Sequence, residues 1–263
     1  MMPGSFWIQG RAVMQQAAGV TARQHSFQTN CAACALAGVC LPIAVSGDEL
    51  DVLEDIIERR RTQPRGHYVY RAGDPFTSLY VVRSGAVKSL RVTPAGEEQI
   101  VGFHLPGEIF GLDGIGGQLH ESAAVALESC AVCAIPFARL TEQRPVLHTM
   151  NAHLLQLLSR EIVTDQHLLI LLGKRTAEER IAAMLVSLSS RFRRRRLSPT
   201  RFRLPMSRAD LGSYLGLVIE TVSRVLTRLQ RQGMVRINQR EIEILDLPRL
   251  HDVAGIAPPL NDA

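Results

Sequence analysis

The sequence predicts an α+β fold: an N-terminal antiparallel β-roll, one long helix, and a C-terminal winged helix-turn-helix. Three observations predict it. Residues 66–137 break into short apolar runs separated by Gly73, Gly85, Gly96, Gly102, Gly107 and Gly111, which is the turn spacing of an antiparallel roll. Helical periodicity then runs unbroken from about Pro145 to Leu172. Behind it come a helix, a glycine-containing turn, a second helix and a hairpin pattern.

The chain of 263 residues is long enough for two modest domains with separate cores. No apolar run approaches the roughly 18–20 residues of a membrane span. The N-terminus lacks a basic segment followed by a long apolar one, so no secretory signal is expected and a reducing cytoplasm is the expected location. There, clustered cysteines serve metals or redox chemistry rather than disulfides. Charge is uneven. Residues 1–150 carry 12 Lys and Arg against 14 Asp and Glu, whereas residues 151–263 carry 18 against 11. A basic C-terminal half suits a phosphate backbone, although a solvated basic face explains it as well.

Taken in order, residues 1–28 show little periodicity and are expected to be poorly ordered. A cysteine loop and the β-roll occupy 29–144. From Gly47 the loop leads into a helix with Leu50, Leu53, Ile56 and Ile57 at helical spacing. The long helix, placed at 145–173, carries two apolar stripes. One is Leu147, Met150, Leu154, Leu157, Leu168 and Leu171. The other, Leu155, Leu158, Ile162, Asp165, Leu169 and Leu172, steps alternately by three and four, an a/d seam with one polar member. One stripe is expected to pack on its own domain and the other on a second copy of the chain.

Residues 174–250 form the helix-turn-helix unit, with 251–263 as a tail. Its first helix, from Thr176 to Arg191, opens on a capping box of Thr176 and Glu179. The basic run Arg191–Arg196 reads as an exposed helix end or loop. Ser207 and Asp210 form a second capping box, Gly216 makes the turn, and Gly233 stops the helix that starts near Ile219. On that helix Glu220, Ser223 and Arg224 share a face, being three and four residues apart. Arg is suited to guanine O6/N7, Glu to cytosine N4, and Ser to either kind of edge. A surface ion pair between Glu220 and Arg224 is the plainer alternative. Arg228 and Arg231 lie further along and are expected to meet phosphate or solvent.

Five cysteines are present. Cys31, Cys34 and Cys40 sit in N-C-A-A-C-A-L-A-G-V-C-L-P, and Cys133 in A-V-C-A-I-P. Four thiolates from a loop and a distant strand suit one soft metal centre, either an iron–sulfur cluster or structural zinc. Short spacers rich in Ala and Gly let the loop bend, while Leu36, Val39 and Leu41 restrict access of water and oxygen. Zinc sites of four cysteines usually pair two C-x2-C knuckles, which this spacing does not supply. Cys130 and Cys133 compete for the fourth position. Three apart in a strand, they point to opposite faces, so only one faces the loop.

Together these residues resemble the FNR branch of the cyclic-AMP-receptor/FNR superfamily, the oxygen-responsive bacterial transcription factors. The likeness spans about Cys31 to Leu247. It is carried by the cysteine segment and by E-D-I-I-E-R, S-L-Y-V-V-R-S-G-A-V-K-S, G-E-E-Q-I-V-G-F-H-L-P-G, V-C-A-I-P-F, A-E-E-R-I-A-A and Y-L-G-L-V-I-E-T-V-S-R. It implies a jelly roll of the cyclic-nucleotide-binding kind and a [4Fe–4S] cluster held by Cys31, Cys34, Cys40 and Cys133, leaving Cys130 as a small buried hydrophobe. The resemblance further implies that oxygen would convert that cluster to [2Fe–2S], weakening the dimer and releasing DNA. The resemblance also implies an Asp at 165 beside Ile162, tuning a dimer seam that includes Leu158, Leu169 and Leu172. Glu220, Ser223 and Arg224 would read TTGAT half-sites arranged as an inverted repeat. The implied partners are double-stranded DNA, a second copy and RNA polymerase, with no membrane.

One departure stands out against the wider superfamily. Cyclic-nucleotide binders hold the phosphate with an Arg, yet no Arg lies between Gly107 and Ala126, and Asp113 and Glu121 add negative charge around a lone His120. No cyclic nucleotide is expected. Two other functions compete. A related regulator could sense redox state or nitric oxide through the same cysteines, or use haem, against which the four-cysteine pattern argues. An iron–sulfur electron carrier would leave the helix-turn-helix unexplained. No substrate motif is present, so no enzyme is expected.

Overall fold

The computed structural model describes residues 30–40, 47–142 and 148–255. The expected disorder of 1–28, the start of the long helix at Pro145 and Leu147, and most of the tail lie outside them.

Helix α1, Asp48–Ile56, opens with Asp48, Glu49 and Asp51 in its first turn, where carboxylates complement the helix dipole. It buries Leu53 and Ile56. The β-roll follows as two four-stranded antiparallel sheets. One has the order β1 (Glu58–Arg59), β8 (Ala131–Pro136), β3 (Ser78–Ser84), β6 (Ile109–Phe110); the other has β2 (Tyr68–Tyr70), β7 (Ala123–Ala126), β4 (Val87–Val92), β5 (Glu98–His104). Gly85 makes the turn from β3 to β4. Its φ of 76° and the 2.4 Å between a notional Cβ and the Ser129 carbonyl oxygen leave room only for glycine.

Helix α2, Phe137–Leu140, leads toward the long helix α3, His148–Lys174. The two stripes of α3 separate as their spacing predicts. Met150 and Leu154 are buried in a core shared with α1, β3 and β8. Leu155, Ile162 and Leu169 are 68%, 59% and 70% exposed, an unpartnered apolar row on an isolated chain. Asp165 is exposed in the same row. Leu158 and Leu172 are half-buried, and Leu158 also touches its own core.

Helix α4, Ala177–Arg194, starts at the Thr176–Glu179 capping box and runs three residues beyond Arg191. Strand β9 (Arg201–Arg203) joins β11 (Glu241–Ile244) and β10 (Val235–Asn238) in a three-stranded wing. Between them lie α5, Arg208–Leu215, and α6, Ile219–Arg231. The last helix, α7 (Leu247–Ala254), corrects the expected end of the domain at residue 250. Leu250, His251 and Ala254 are buried, and the helix packs on α4. The helix-turn-helix unit shares one continuous core with the outer face of β4, β5 and β7, through Leu90, Ile100 and Phe103 on one side and Leu211, Leu215 and Leu185 on the other.

Candidate metal centre and nucleic-acid interface

The cysteine loop is a run of tight turns. Asn30 Oδ1 accepts from the Ala33 N–H at 2.8 Å, the Cys31 carbonyl from Cys34 N–H at 3.2 Å, and the Leu36 carbonyl from Cys40 N–H at 2.9 Å. Glu54 on α1 anchors the start of the loop by accepting from the Cys31 N–H at 2.7 Å, and it also pairs with Arg59. Burial opposes ionisation of Glu54, but those donors outweigh it and hold the carboxyl below its ordinary range.

The loop lies over β8, so Cys31, Cys34, Cys40 and Cys133 line one cavity of about 410 Å³ together with Leu36, Ile57, Arg59, Val81, Arg83 and Ile135. Strand pleating separates the two β8-side cysteines as expected. Cys133 faces this cavity, whereas Cys130 is fully buried and its backbone bridges to Gln63. Burial pushes the Cys31 thiol up to about 12, with Glu54 adding to the effect, and raises Cys133 against the pull of Arg83 and Arg59. Among the described residues no three His, Cys, Asp or Glu side chains are close enough to hold an ion as they stand. The donor set nevertheless fits a soft metal group: four sulfurs share one cavity, and two arginines stand ready to offset thiolate charge.

The nucleic-acid interface is built by local signals. Asp210 N–H donates to Ser207 Oγ at 3.0 Å, and Ser207 N–H donates to Asp210 Oδ2 at 2.8 Å. Gly216 takes the left-handed conformation that closes α5, with Leu217 N–H bonded to the Gly212 carbonyl at 2.9 Å. Helix α6 is sharply two-faced. Val222, Val225, Leu226 and Leu229 are buried; Glu220 and Arg224 are exposed and Ser223 half so. Arg224 donates to Thr221 Oγ1 at 3.1 Å, not to Glu220, so the surface ion pair does not form. Arg208 donates to Ser223 Oγ at 3.3 Å. Arg228, expected to meet phosphate or solvent, is exposed and pairs with Glu178 at 3.0 Å.

Inside the β-roll, rings fill the space. His120 and Tyr70 stack with centroids 3.7 Å apart, and Tyr80 and Phe110 continue the stack. Asp113 accepts from the N–H groups of Glu121 and Ser122 and from the Ser122 hydroxyl, at 3.0, 2.7 and 2.8 Å. Burial disfavours its charge, but the Ser122 donors prevail and keep the carboxyl below the usual range.

Residues 60–143 match the family model for the cyclic nucleotide-binding domain, and residues 179–253 that for the Crp-like helix-turn-helix domain. The chain is 48% identical over 228 residues to the transcriptional activator protein anr of Pseudomonas aeruginosa, covering 87% of this chain and 93% of the relative. The chain belongs to the FNR-type transcription activators. It is 43% identical to the fumarate and nitrate reduction regulatory protein of Escherichia coli over 226 residues, 86% of this chain and 90% of that one. Among solved structures, FixK2 from Bradyrhizobium japonicum superposes with a TM-score of 0.70 at 31% identity, covering 77% of this chain and all of that one. As in this family generally, the helix-turn-helix is a DNA-binding element.

Sequence reasoning missed one set of residues in this FNR-type chain. Arg191 and Arg195 are not an exposed helix end. Their side chains are 15% and 5% exposed, and both pair with Glu108 of the β-roll. The signal was in the periodicity: they continue the buried row Ile181, Met184, Leu188 along α4.

Proposed function

We propose that this chain is an oxygen-sensing transcription activator, working in the cytoplasm as a homodimer on TTGAT-type inverted repeats and contacting RNA polymerase. The observation that carries this reading is the meeting of Cys31, Cys34, Cys40 and Cys133 on one cavity in a chain that also presents a helix-turn-helix. Those four cysteines would hold a [4Fe–4S] cluster, which supplies an oxygen-labile centre. Arg59 and Arg83 would offset thiolate charge, and Leu36 and Ile57 would limit solvent access.

Around that centre the chain's own residues do the coupling. The cysteine loop packs next to α1 and the first half of α3, so its closure bears on the helix that carries the exposed row Leu155, Ile162 and Leu169. Two copies of this row would bury it. Asp165 would then meet its symmetry mate. Its carboxyl is already raised by desolvation in the single chain, and a partner would add like-charge repulsion. A dimer weakened in this way responds to changes of about 1–3 kcal/mol at a distant site. On α6, Glu220, Ser223 and Arg224 would read base edges in the major groove. The stacked rings of Tyr70, Tyr80, Phe110 and His120, and the carboxylate of Asp113, would disfavour a cyclic phosphate.

The test is protein purified without oxygen. A brown protein with four iron and four sulfide per chain, dimeric and selective for TTGAT repeats, agrees with the reading. Colourless protein with zinc or no metal, binding DNA alike with and without air, overturns it.

A further inference from the structure

The established picture of the fold leaves one buried charge cluster unexplained. The turn after β5, Leu105–Glu108, is held at both ends: Gly107 N–H donates to the Val82 carbonyl at 2.7 Å and Leu105 N–H to Glu108 Oε2 at 2.9 Å. Two parts of the molecule meet at this turn. From the cysteine loop comes Val39, next to Cys40. A Cβ added at Gly107 would stand 2.8 Å from Val39 Cγ2, so the loop rests directly on the glycine backbone. From the helix-turn-helix unit come two arginines of α4. Arg191 Nε donates to Glu108 Oε1 at 2.9 Å, and a second nitrogen pairs with Oε2 and donates to the Phe103 carbonyl at 2.6 Å. Arg195 donates to Glu108 Oε1 and to the Pro106 carbonyl, each at 2.6 Å.

A carboxylate gripped by two buried guanidinium groups is a rigid joint. Planar forks fix orientation as well as distance, and removing one partner of a buried pair leaves an uncompensated charge. Burial works against ionisation of Glu108, yet Arg191 and then Arg195 hold its carboxyl down at about 2. Other contacts also dock the two units: Lys88 pairs with Asp210 at 2.8 Å and Ile100 N–H donates to Ser213 Oγ at 3.0 Å. Neither of these lies against the cysteine loop. Glu108 is the charged neighbour of Gly107, the residue on which Val39 rests, and Arg195 also holds Pro106 on its other side.

We propose that Glu108 is the positioning residue that passes the state of the cysteine loop to the DNA-reading helices within one subunit, in parallel with dimerisation. When the loop shifts on Gly107, the turn moves Glu108, and α4 follows through Arg191 and Arg195. This rests on the cluster reading above for the state of the loop. It goes beyond that reading by giving the signal a second route that needs no partner chain.

The experiment separates the two routes. Wild type and Glu108→Gln, full chain and purified without oxygen, are assayed for iron and sulfide, for dimer fraction by sedimentation, and for affinity to an inverted-repeat duplex expressed per dimer, before and after air. Wild type should bind at least about fivefold tighter per dimer when loaded than after air, the low end of ordinary allosteric coupling. In Glu108→Gln iron content and the dimer response should persist while the per-dimer difference vanishes. Arg195→Lys, which keeps the charge but loses the fork, should shrink it in a milder background if Glu108→Gln folds poorly. A variant that keeps the wild-type difference overturns the proposal, as does loaded wild type showing no per-dimer difference. Wild type that binds no iron removes the cluster reading and this proposal with it.

Discussion

Cys130 and Cys133 lie three residues apart, and the structure gives opposite consequences for removing each. Cys130 is fully buried, with its backbone tied to Gln63 and its Cβ against the Gly85 turn. Replacing it by Ala deletes one sulfur from a tight core. The transfer loss resembles that of one buried methylene, about 0.8 kcal/mol. A residual void of roughly 20 Å³ adds about 0.5 kcal/mol, so Cys130→Ala should cost about 1–1.5 kcal/mol. It should leave the cavity-lining sulfurs untouched. Cys133 is half-buried at the cavity wall, so Cys133→Ala should cost the metal-free protein less than Cys130→Ala does. It should abolish the cluster. The assay is denaturant unfolding of metal-free variants, paired with iron, sulfide and visible spectra of the same variants purified without oxygen. Stability should rank Cys133→Ala above Cys130→Ala while iron content ranks them the other way. Loss of iron in Cys130→Ala with retention in Cys133→Ala would refute the ligand choice and the placement of Cys133 on the cavity.

Three further outcomes are expected. Asp165→Ala should give dimers in air, read by sedimentation, because it removes both the desolvation and the repulsion from the exposed row of α3; an aerobic monomer identical to wild type would refute the role of Asp165. Arg224→Ala should cost about 1–3 kcal/mol and relax discrimination at the guanine of each half-site, whereas Arg231→Ala should weaken all sequences alike and lower the salt slope by about one; titration against single-base variants at two salt concentrations decides. Glu108 is depressed to about 2 in the fold, so its contribution is complete above the unfolded carboxyl range and is lost as pH falls through about 4.5 toward 2. Denaturant unfolding across that window should show an acid loss on the order of 3 kcal/mol in wild type that is missing in Glu108→Gln, and equal acid slopes would refute the buried pair.

What could be read in the sequence was what is local. The capping boxes at Thr176 and Ser207, the glycine turn at Gly216 and the two faces of α3 are each decided within a few residues, and the structure forms all of them. The opposition of Cys130 and Cys133 followed from the pleat alone. Tertiary pairings were the opposite case. Glu108 and Arg191 are 83 residues apart, Lys88 and Asp210 122 apart, and Glu178 and Arg228 50 apart. Nothing in composition distinguishes such an arginine from one in solvent. The periodicity of α4 did carry the information for Arg191 and Arg195, but a run of arginines reads as polar surface unless the helix phase is followed through it. The end of the domain was misplaced for a related reason. Helix α7 is short, and only packing against α4 marks Leu250 and Ala254 as core.

This bears on what the basic C-terminal half is for. Net charge suggested a broad phosphate-binding face, but most of its arginines are already committed. Arg191 and Arg195 hold Glu108, Arg201 and Arg236 share Glu243, Arg175 holds Glu179, and Arg228 holds Glu178. Arg180 donates to the carbonyls of Leu172, Arg175 and Leu215, and Arg240 to that of Pro205. Charges fixed in this way build the domain and its docking, and they release few counterions when DNA arrives. Arg208, Arg224 and Arg231 have no carboxylate partner among the described residues, and all three lie on α5 or α6. Arg193, Arg194 and Arg196 at the end of α4 are also exposed without a carboxylate partner among the described residues, so free positive charge is shared between that end and the two helices that a groove would meet. The salt dependence of DNA binding should accordingly follow the uncommitted residues that lie on α5 and α6 rather than the formal charge of the half-chain.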